Sequence, residues 1–146
     1  MDFLFIIKNC FSNYFNFSGR ASRTEFWYFT SFLIIGTIIM DVIDASLKDL
    51  TYWTYDEMMG PSQSIFTLIT IIPQISVATR RLHDINTSGW TQLLALTIIG
   101  NIPLFIWLST QSDKDSNKYG SVSPNASESD FKPISKSIKF FVIPIC

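Results

Sequence analysis

The residues best equipped for chemistry are crowded into ATRRLHDINTSGW, residues 78–90, where Arg80, Arg81, His83 and Asp84 stand between two apolar runs. In a catalytic reading, His83 would move a proton and Asp84 would assist it. In a binding reading, the guanidinium groups would hold phosphate oxygens, which they match in pairs. Arg80 and Asp84 are four apart, so they can pair across one turn if a helix continues that far. The chain holds a single histidine, which cannot supply a histidine-based metal cluster. No nucleophile stands beside it at a recognisable spacing. A second basic pair, Arg20 and Arg23, can share one helical face, where guanidinium groups meet lipid phosphate. Asp41, Gln74 and Asn101 interrupt apolar runs; polar groups held between membrane helices are candidates for an ion or proton path, and Gln74 equally suits an interhelical hydrogen bond.

Composition says where such chemistry would take place. Of the 146 residues, 47% are hydrophobic and only 16% charged, against about 25% charged in ordinary soluble domains. Much of the surface is therefore expected to face something other than water. Net charge is −1 and the 11 basic residues are scattered in short groups, so nucleic acid binding has no electrostatic footprint. Cys10 and Cys146 form neither a disulfide framework nor a metal pair, and Cys146, as the last residue, is not placed for prenylation. No cofactor motif is present. The first residues do not read as a secretory signal, since Asp2 precedes the apolar run and Lys8 interrupts it.

Several elements must position these groups. Residues 3–17 put Phe3, Leu4, Ile7, Phe11, Tyr14 and Phe15 on one helical face, with Lys8, Asn9, Ser12, Asn13 and Asn16 mostly opposite. This pattern suits a helix lying in the membrane interface. Ser22 followed by Glu25 reads as a capping box opening a first span, residues 26–43. A polar loop, residues 44–64, carries Asp44, Asp49, Asp56 and Glu57 against Lys48, with Tyr52, Trp53 and Tyr55 suited to the membrane surface. Residues 65–79 form a second span with Ser62 and Ser64 as candidate caps, and Pro73 should bend it unless a neighbour covers the carbonyl it frees. A third run, residues 90–108, has no formal charge, and Gly100, Asn101 and Pro103 suggest a kink. From residue 109 the chain becomes polar and reads as a mobile tail. An apolar end follows, broken by Pro133 and Pro144 and suited to docking on the membrane surface.

The expected fold is all-α: an integral membrane helical bundle of about three transmembrane helices preceded by an amphipathic interfacial helix. The organisation is 1–17 interfacial helix, 18–110 transmembrane domain and 111–146 polar tail with an apolar end. Lys8, Arg20, Arg23, Arg80 and Arg81 place the N-terminus and the second loop in the cytoplasm. Three crossings would put the tail outside, although Lys114 and Lys118 favour the inner side.

FSGRASRTEFWYF at 17–29, RRLHD at 80–84 with SGW at 88–90, and NKYG at 117–120 with Pro124 shortly after together give a specific ordered pattern. In these pieces the chain resembles the small bacterial integral membrane proteins grouped as domain of unknown function 805, also called YhaH-like. The resemblance covers roughly residues 11–124. It implies a multi-pass protein of the bacterial inner membrane and no established biochemical role. It points to Gly19, Arg20, Arg23, Glu25 and Trp27, then Arg80, Arg81, His83, Asp84, Ser88, Gly89 and Trp90, and finally Asn117, Tyr119 and Gly120. The leading expectation is a noncatalytic protein whose arginine-rich cytoplasmic face, Arg20, Arg23, Arg80, Arg81, His83 and Asp84, engages lipid headgroups, a membrane protein partner or a second copy. A small transporter or channel subunit built on Asp41, Gln74 and Asn101, and a membrane-associated enzyme using His83 and Asp84, are the alternatives.

Overall fold

The computed structural model describes residues 2–51 and 60–132. Four α-helices run in the order α1, Phe3–Ser12; α2, Arg23–Thr51; α3, Pro61–Asp84; and α4, Ile98–Ser109. A 3₁₀ segment, Gly89–Leu96, precedes α4, and a 3₁₀ turn, Glu128–Phe131, follows it. Among the described residues the only strand-like pairing is one bridge between Asn117 and Gly120. The expected surface positions of Tyr52, Trp53 and Tyr55, and the docking of residues 133–146, lie outside the described residues.

Two of these helices, Arg23–Leu47 within α2 and Pro61–Asp84, are long and apolar enough to cross a membrane. The 24 residues of α3 extend about 36 Å at 1.5 Å per residue, against a hydrocarbon layer of about 30 Å. A core helix of a soluble domain would be mostly covered, yet only 17% and 28% of the two apolar windows are buried. Ile34, Ile38, Val42, Ile65 and Leu68 are all more than half exposed. An apolar surface this extensive is suited to acyl chains and would drive association in water.

The antiparallel pair α2 and α3 makes the core with α1. Ile6, Ile7, Cys10, Phe26, Phe29, Leu33, Val77 and Ala78 form one buried cluster, with Phe11, Phe32 and Phe66 packed against it. The helices approach closely at Gly36, where an added Cβ would lie 2.3 Å from the Phe66 ring. Helix α1 turns Ile7 and Phe11 inward from its expected apolar face, together with Ile6 and Cys10. Leu4, Phe5 and Phe15 stay exposed.

Local details explain how the elements start and continue. The Ser22 hydroxyl accepts from the Glu25 N–H at 3.1 Å, completing half of the expected capping box. The Glu25 carboxylate turns instead to partners described below. At the far end, Gly60 rather than Ser62 or Ser64 caps α3, with Pro61 in its first turn. Asp44 takes over the capping work, accepting from the Ser62 and Gln63 N–H groups at 3.0 Å each. Helix α3 runs through Pro73. The carbonyl that Pro73 deprives of a donor, Ile69 O, receives the Tyr14 hydroxyl at 2.8 Å, the neighbouring cover that a helix proline requires.

Residues 90–108 do not form one helix. The break falls at Thr97, in an extended conformation, where its hydroxyl caps α4 by accepting from Gly100 N–H at 3.0 Å. The 3₁₀ segment leaves the end of α3 and runs back beside it, with Gln92 Nε2 donating to Thr79 Oγ1 at 2.6 Å. Helix α4 then returns to that same end: Leu104 and Trp107 pack on Leu82 and Ile85, and Arg81 Nε donates to Leu108 O at 3.1 Å. The pair makes a helical hairpin with both feet at the arginine end of α3. Its tip carries Leu96, Ile98 and Ile99, each more than 80% exposed.

The polar segment after α4 is also different from a free tail. Ser112 N–H donates to Asp130 O at 2.8 Å, and residues 113–132 supply carbonyls to Arg20 and Arg23. Its serine-rich composition resembles a solvated chain, but buried guanidinium groups hold its backbone in place.

Candidate functional site

Three segments distant in sequence meet at this end: the turn before α2, the last turn of α3 and residues 110–130. Asp84 is the meeting point. It is fully buried and accepts from Arg20 Nε at 2.8 Å and from Arg81 Nη1. The side chains of Arg20 and Arg81 have no exposed surface. Arg20 also donates through Nη1 to Asp115 O at 2.7 Å and through Nη2 to Asp113 O at 2.6 Å. Arg81 donates to Leu108 O and Thr110 O. These two groups, expected to face lipid, are spent inside the protein. Such pairing fits their depth, because an unpaired buried charge is strongly unfavourable.

Arg80 does not pair with Asp84 as its spacing suggested. Its Nη1 donates to Glu25 Oε1 at 3.1 Å, while the i,i+3 neighbour Arg81 takes Asp84. The same Glu25 oxygen accepts from Asn9 Nδ2 at 3.1 Å, and Glu25 Oε2 accepts from Asn125 Nδ2 at 3.3 Å. Buried Cys10 lies beside this carboxylate, and burial followed by the Glu25 charge pushes its thiol up to about 12. Cys10 is consequently a protonated packing group at neutral pH.

Arg23, mostly covered, is 4.0 Å from Asp130 and donates to the carbonyls of Ser129 and Lys132. Asp130 is fully buried and works as a cap for α2: it accepts from the Thr24 N–H at 2.7 Å and hydroxyl at 2.6 Å, and from the Ser127 N–H at 2.8 Å. Burial alone would raise its carboxyl, but these donors outweigh it and hold the group below its ordinary value. Sequence reasoning missed Asp130, although Ser127-x-x-Asp130 is itself a capping-box spacing and forms one here.

His83 lies apart from the carboxylates. Its ring stacks on Tyr119 with centroids 3.8 Å apart and planes 4° from parallel, and its Nδ1 is 3.3 Å from Gly19 O. Since Asp84 is committed to two arginines, the two residues of the enzyme reading do not form a proton relay. Asn117 Nδ2 donates to His83 O at 2.9 Å, and its Oδ1 accepts from Tyr119 N–H at 2.9 Å, so NKYG clamps the end of α3. Gly19 at φ +82° and Gly120 at φ +128° make the turns that feed Arg20 into this cluster and fold the tail around it.

The SGW piece serves the hairpin: Ser88 caps the 3₁₀ segment, Gly89 sits against Thr79, and Trp90 projects outward with 79% exposure. Trp27 packs edge-on against Phe105 of α4 at 5.6 Å. Asp41, Gln74 and Asn101 are all exposed, on three different helices, and among the described residues none hydrogen-bonds to another. Asn101 donates to the carbonyls of Ala95 and Thr97, within its own hairpin.

Between α1, the arginine cluster and the tail lies a polar cavity of about 290 Å³. Asn9 of α1, with Asn13 and Asn16 in the turn where the helix expected over residues 3–17 has already ended at Ser12, line one side; Tyr119 to Asn125 line the other, with Arg80 and Glu25 in its wall. Among the described residues no group of three or more histidine, cysteine or carboxylate side chains could hold a metal ion.

Comparison with known proteins follows these features. The family model described as "Protein of unknown function (DUF805)" matches residues 14–121, which include the turn before α2, the end of α3 and NKYG. Inner membrane protein YhaI of Escherichia coli (strain K12) is 36% identical over 110 residues, covering 74% of this chain and 86% of that relative. Inner membrane protein YhaH of the same strain is 35% identical over 96 residues, covering 66% and 72%. No solved structure matches.

Proposed function

This chain belongs to the DUF805 family of proteins of unknown function, and on that premise we propose a noncatalytic protein of the bacterial inner membrane whose arginine-rich end is a cytoplasmic binding platform. Its targets are lipid headgroups or a membrane protein partner, a second copy included. The observation that supports the reading is that Arg20, Arg81 and Asp84, themselves paired inside the protein, draw the tail onto the end of α3 and so frame a polar cavity with Arg80 in its wall.

The proposal includes a topology. Helices α2 and α3 cross fully, whereas residues 89–109 enter and return. At about 2.0 Å per residue for 3₁₀ and 1.5 Å for α, their arms reach roughly 16 and 18 Å, near half the hydrocarbon thickness. Two crossings replace the three expected from apolar length. They also bring Lys114 and Lys118 to the same side as Lys8, Arg20, Arg23, Arg80 and Arg81, in keeping with the preference of basic residues for the cytoplasm. Helix α1 and the turn after it, with Leu4, Phe5 and Phe15 outward, would lie at the membrane interface on that side.

Single-cysteine labelling tests this. In a chain carrying Cys10→Ser and Cys146→Ser, an impermeant maleimide should label Ser46→Cys from outside intact cells. It should reach Ser18→Cys and Ser116→Cys only after the inner membrane is opened. Labelling of Ser116→Cys in intact cells, with Ser18→Cys protected, would restore the third crossing and reject the common platform.

A further inference from the structure

The cavity beside Arg80 has a property that the rest of the arginine cluster lacks. Arg80 is only 5% exposed, yet its Nε and Nη2 have no hydrogen-bond partner among the described residues. Only Nη1 is engaged, by Glu25 at 3.1 Å. Nε and the terminal nitrogens form the planar fork by which arginine binds an oxyanion bidentately. Leaving two buried donors of a cation unused is unfavourable. Their neighbour is the polar cavity of about 290 Å³.

Charge defines what could occupy it. The guanidinium groups of Arg20, Arg80 and Arg81 face the carboxylates of Glu25 and Asp84, which leaves one positive charge in a buried cluster. Arg23 and Asp130 compensate each other nearby. One negative charge would balance the group, whereas a doubly charged phosphate monoester would meet the Glu25 carboxylate across the same guanidinium. The asparagine side chains of Asn9, Asn13, Asn16 and Asn125 around the cavity offer neutral donors and acceptors suited to hydroxyls beside the anion.

Building on the cytoplasmic-platform reading, we propose that this cavity binds a singly charged phosphodiester through the Nε and Nη2 donors of Arg80. The same chemistry comes from two sources, the headgroup of a glycerophospholipid or a soluble glycerophosphodiester. Helix α1 and the turn after it form one wall with Asn9, Asn13 and Asn16 while exposing Leu4, Phe5 and Phe15, which leaves a lipid a route in from the bilayer.

The test uses the full chain in maltoside detergent without phosphate. Glycerophosphoglycerol is titrated while thermal unfolding is followed, and retention of phosphatidylglycerol is measured separately by native mass spectrometry. Stabilisation by glycerophosphoglycerol supports the site with a soluble source sufficient; retention of phosphatidylglycerol alone supports it with a lipid source. Arg80→Gln should weaken either response about tenfold or more, the loss of one charge-assisted contact. Ser121→Trp, at an exposed cavity-lining position whose side chain is not a member of the ion pairs, should do the same in a chain that folds normally. No response to either probe, or responses unchanged in Ser121→Trp and Arg80→Gln, overturns the proposal. Binding in detergent does not depend on orientation, so a failed cavity and a failed topology give separate results.

Discussion

The two ends of the α2–α3 pair fasten the same antiparallel helices by different means. At the far end, one carboxylate, Asp44, accepts two backbone N–H groups of α3. At the near end, Asp84 gathers Arg20 and Arg81, which in turn hold the carbonyls of Asp113, Asp115, Leu108 and Thr110. The first is a local cap, and its loss affects one helix terminus. The second is a buried network in which every charge depends on another, so one deletion strands several groups. A chain fastened in this way has one end held by a local contact and one whose parts stand or fall together.

Removing one carboxylate at each end measures that contrast. Asp84→Asn should destabilise the protein by about 3–5 kcal/mol, because two guanidinium groups without exposed surface lose their counter-charge. Asp44→Asn should cost far less, since it weakens only a local cap at one helix terminus. Unfolding in detergent, followed by circular dichroism, checks both. Equal losses would mean that the near-end network is no more demanding than the cap.

The pH dependence sharpens the same contrast within the near end. The carboxyl of Asp130 is held below its ordinary value in the folded protein by Thr24 and Ser127. Its contribution is therefore complete above the unfolded value, about 3.9, and is lost as pH falls through the lower folded value. Protection of residues 112–130 against hydrogen exchange should persist to about pH 4 and fade below it, while the crossing helices stay protected. Asp130→Asn should remove about 2 kcal/mol of that local protection at neutral pH, the scale of hydrogen bonds to a charged group. Fading that begins near pH 6 would assign tail docking to another group.

Much of this architecture was legible because it depends on local pattern. The two helices long and apolar enough to cross a membrane followed from apolar length, which also suggested a third, and the need to cover the Pro73-freed carbonyl followed from the chemistry of proline. The site was legible as a set of residues but not as a set of pairs. Arg80 was matched to Asp84 by helical spacing, yet the angular positions of Glu25 and Arg20 on other segments decided the partners. The hairpin was hidden because 3₁₀ and α segments have the same apolar composition; only the contacts of Gln92 and Leu108 with α3 reveal the return. The tail's docking was hidden by its serine-rich composition, since backbone carbonyls, which every sequence supplies, do most of the holding.

The smallest predicted effect separates α1 from both ends. Tyr14 donates its hydroxyl to Ile69 O, midway along α3, where Pro73 supplies no N–H. Tyr14→Phe keeps the ring and removes only that donor, in an exposed bond, so it should cost about 0.5 kcal/mol. The loss should be independent of Asp44→Asn and additive with it, because the two act on different turns of the helix and share no partner. A loss near zero in the detergent unfolding assay would show that the exposed Tyr14 hydroxyl is readily replaced by water, and that α1 is held by Ile6, Ile7 and Cys10 and by the Ser76 hydroxyl's bonds to Asn13 O and Asn16 O. A loss of the expected size would make α1 part of the crossing bundle's own hydrogen bonding, in addition to its place as a wall of the polar cavity.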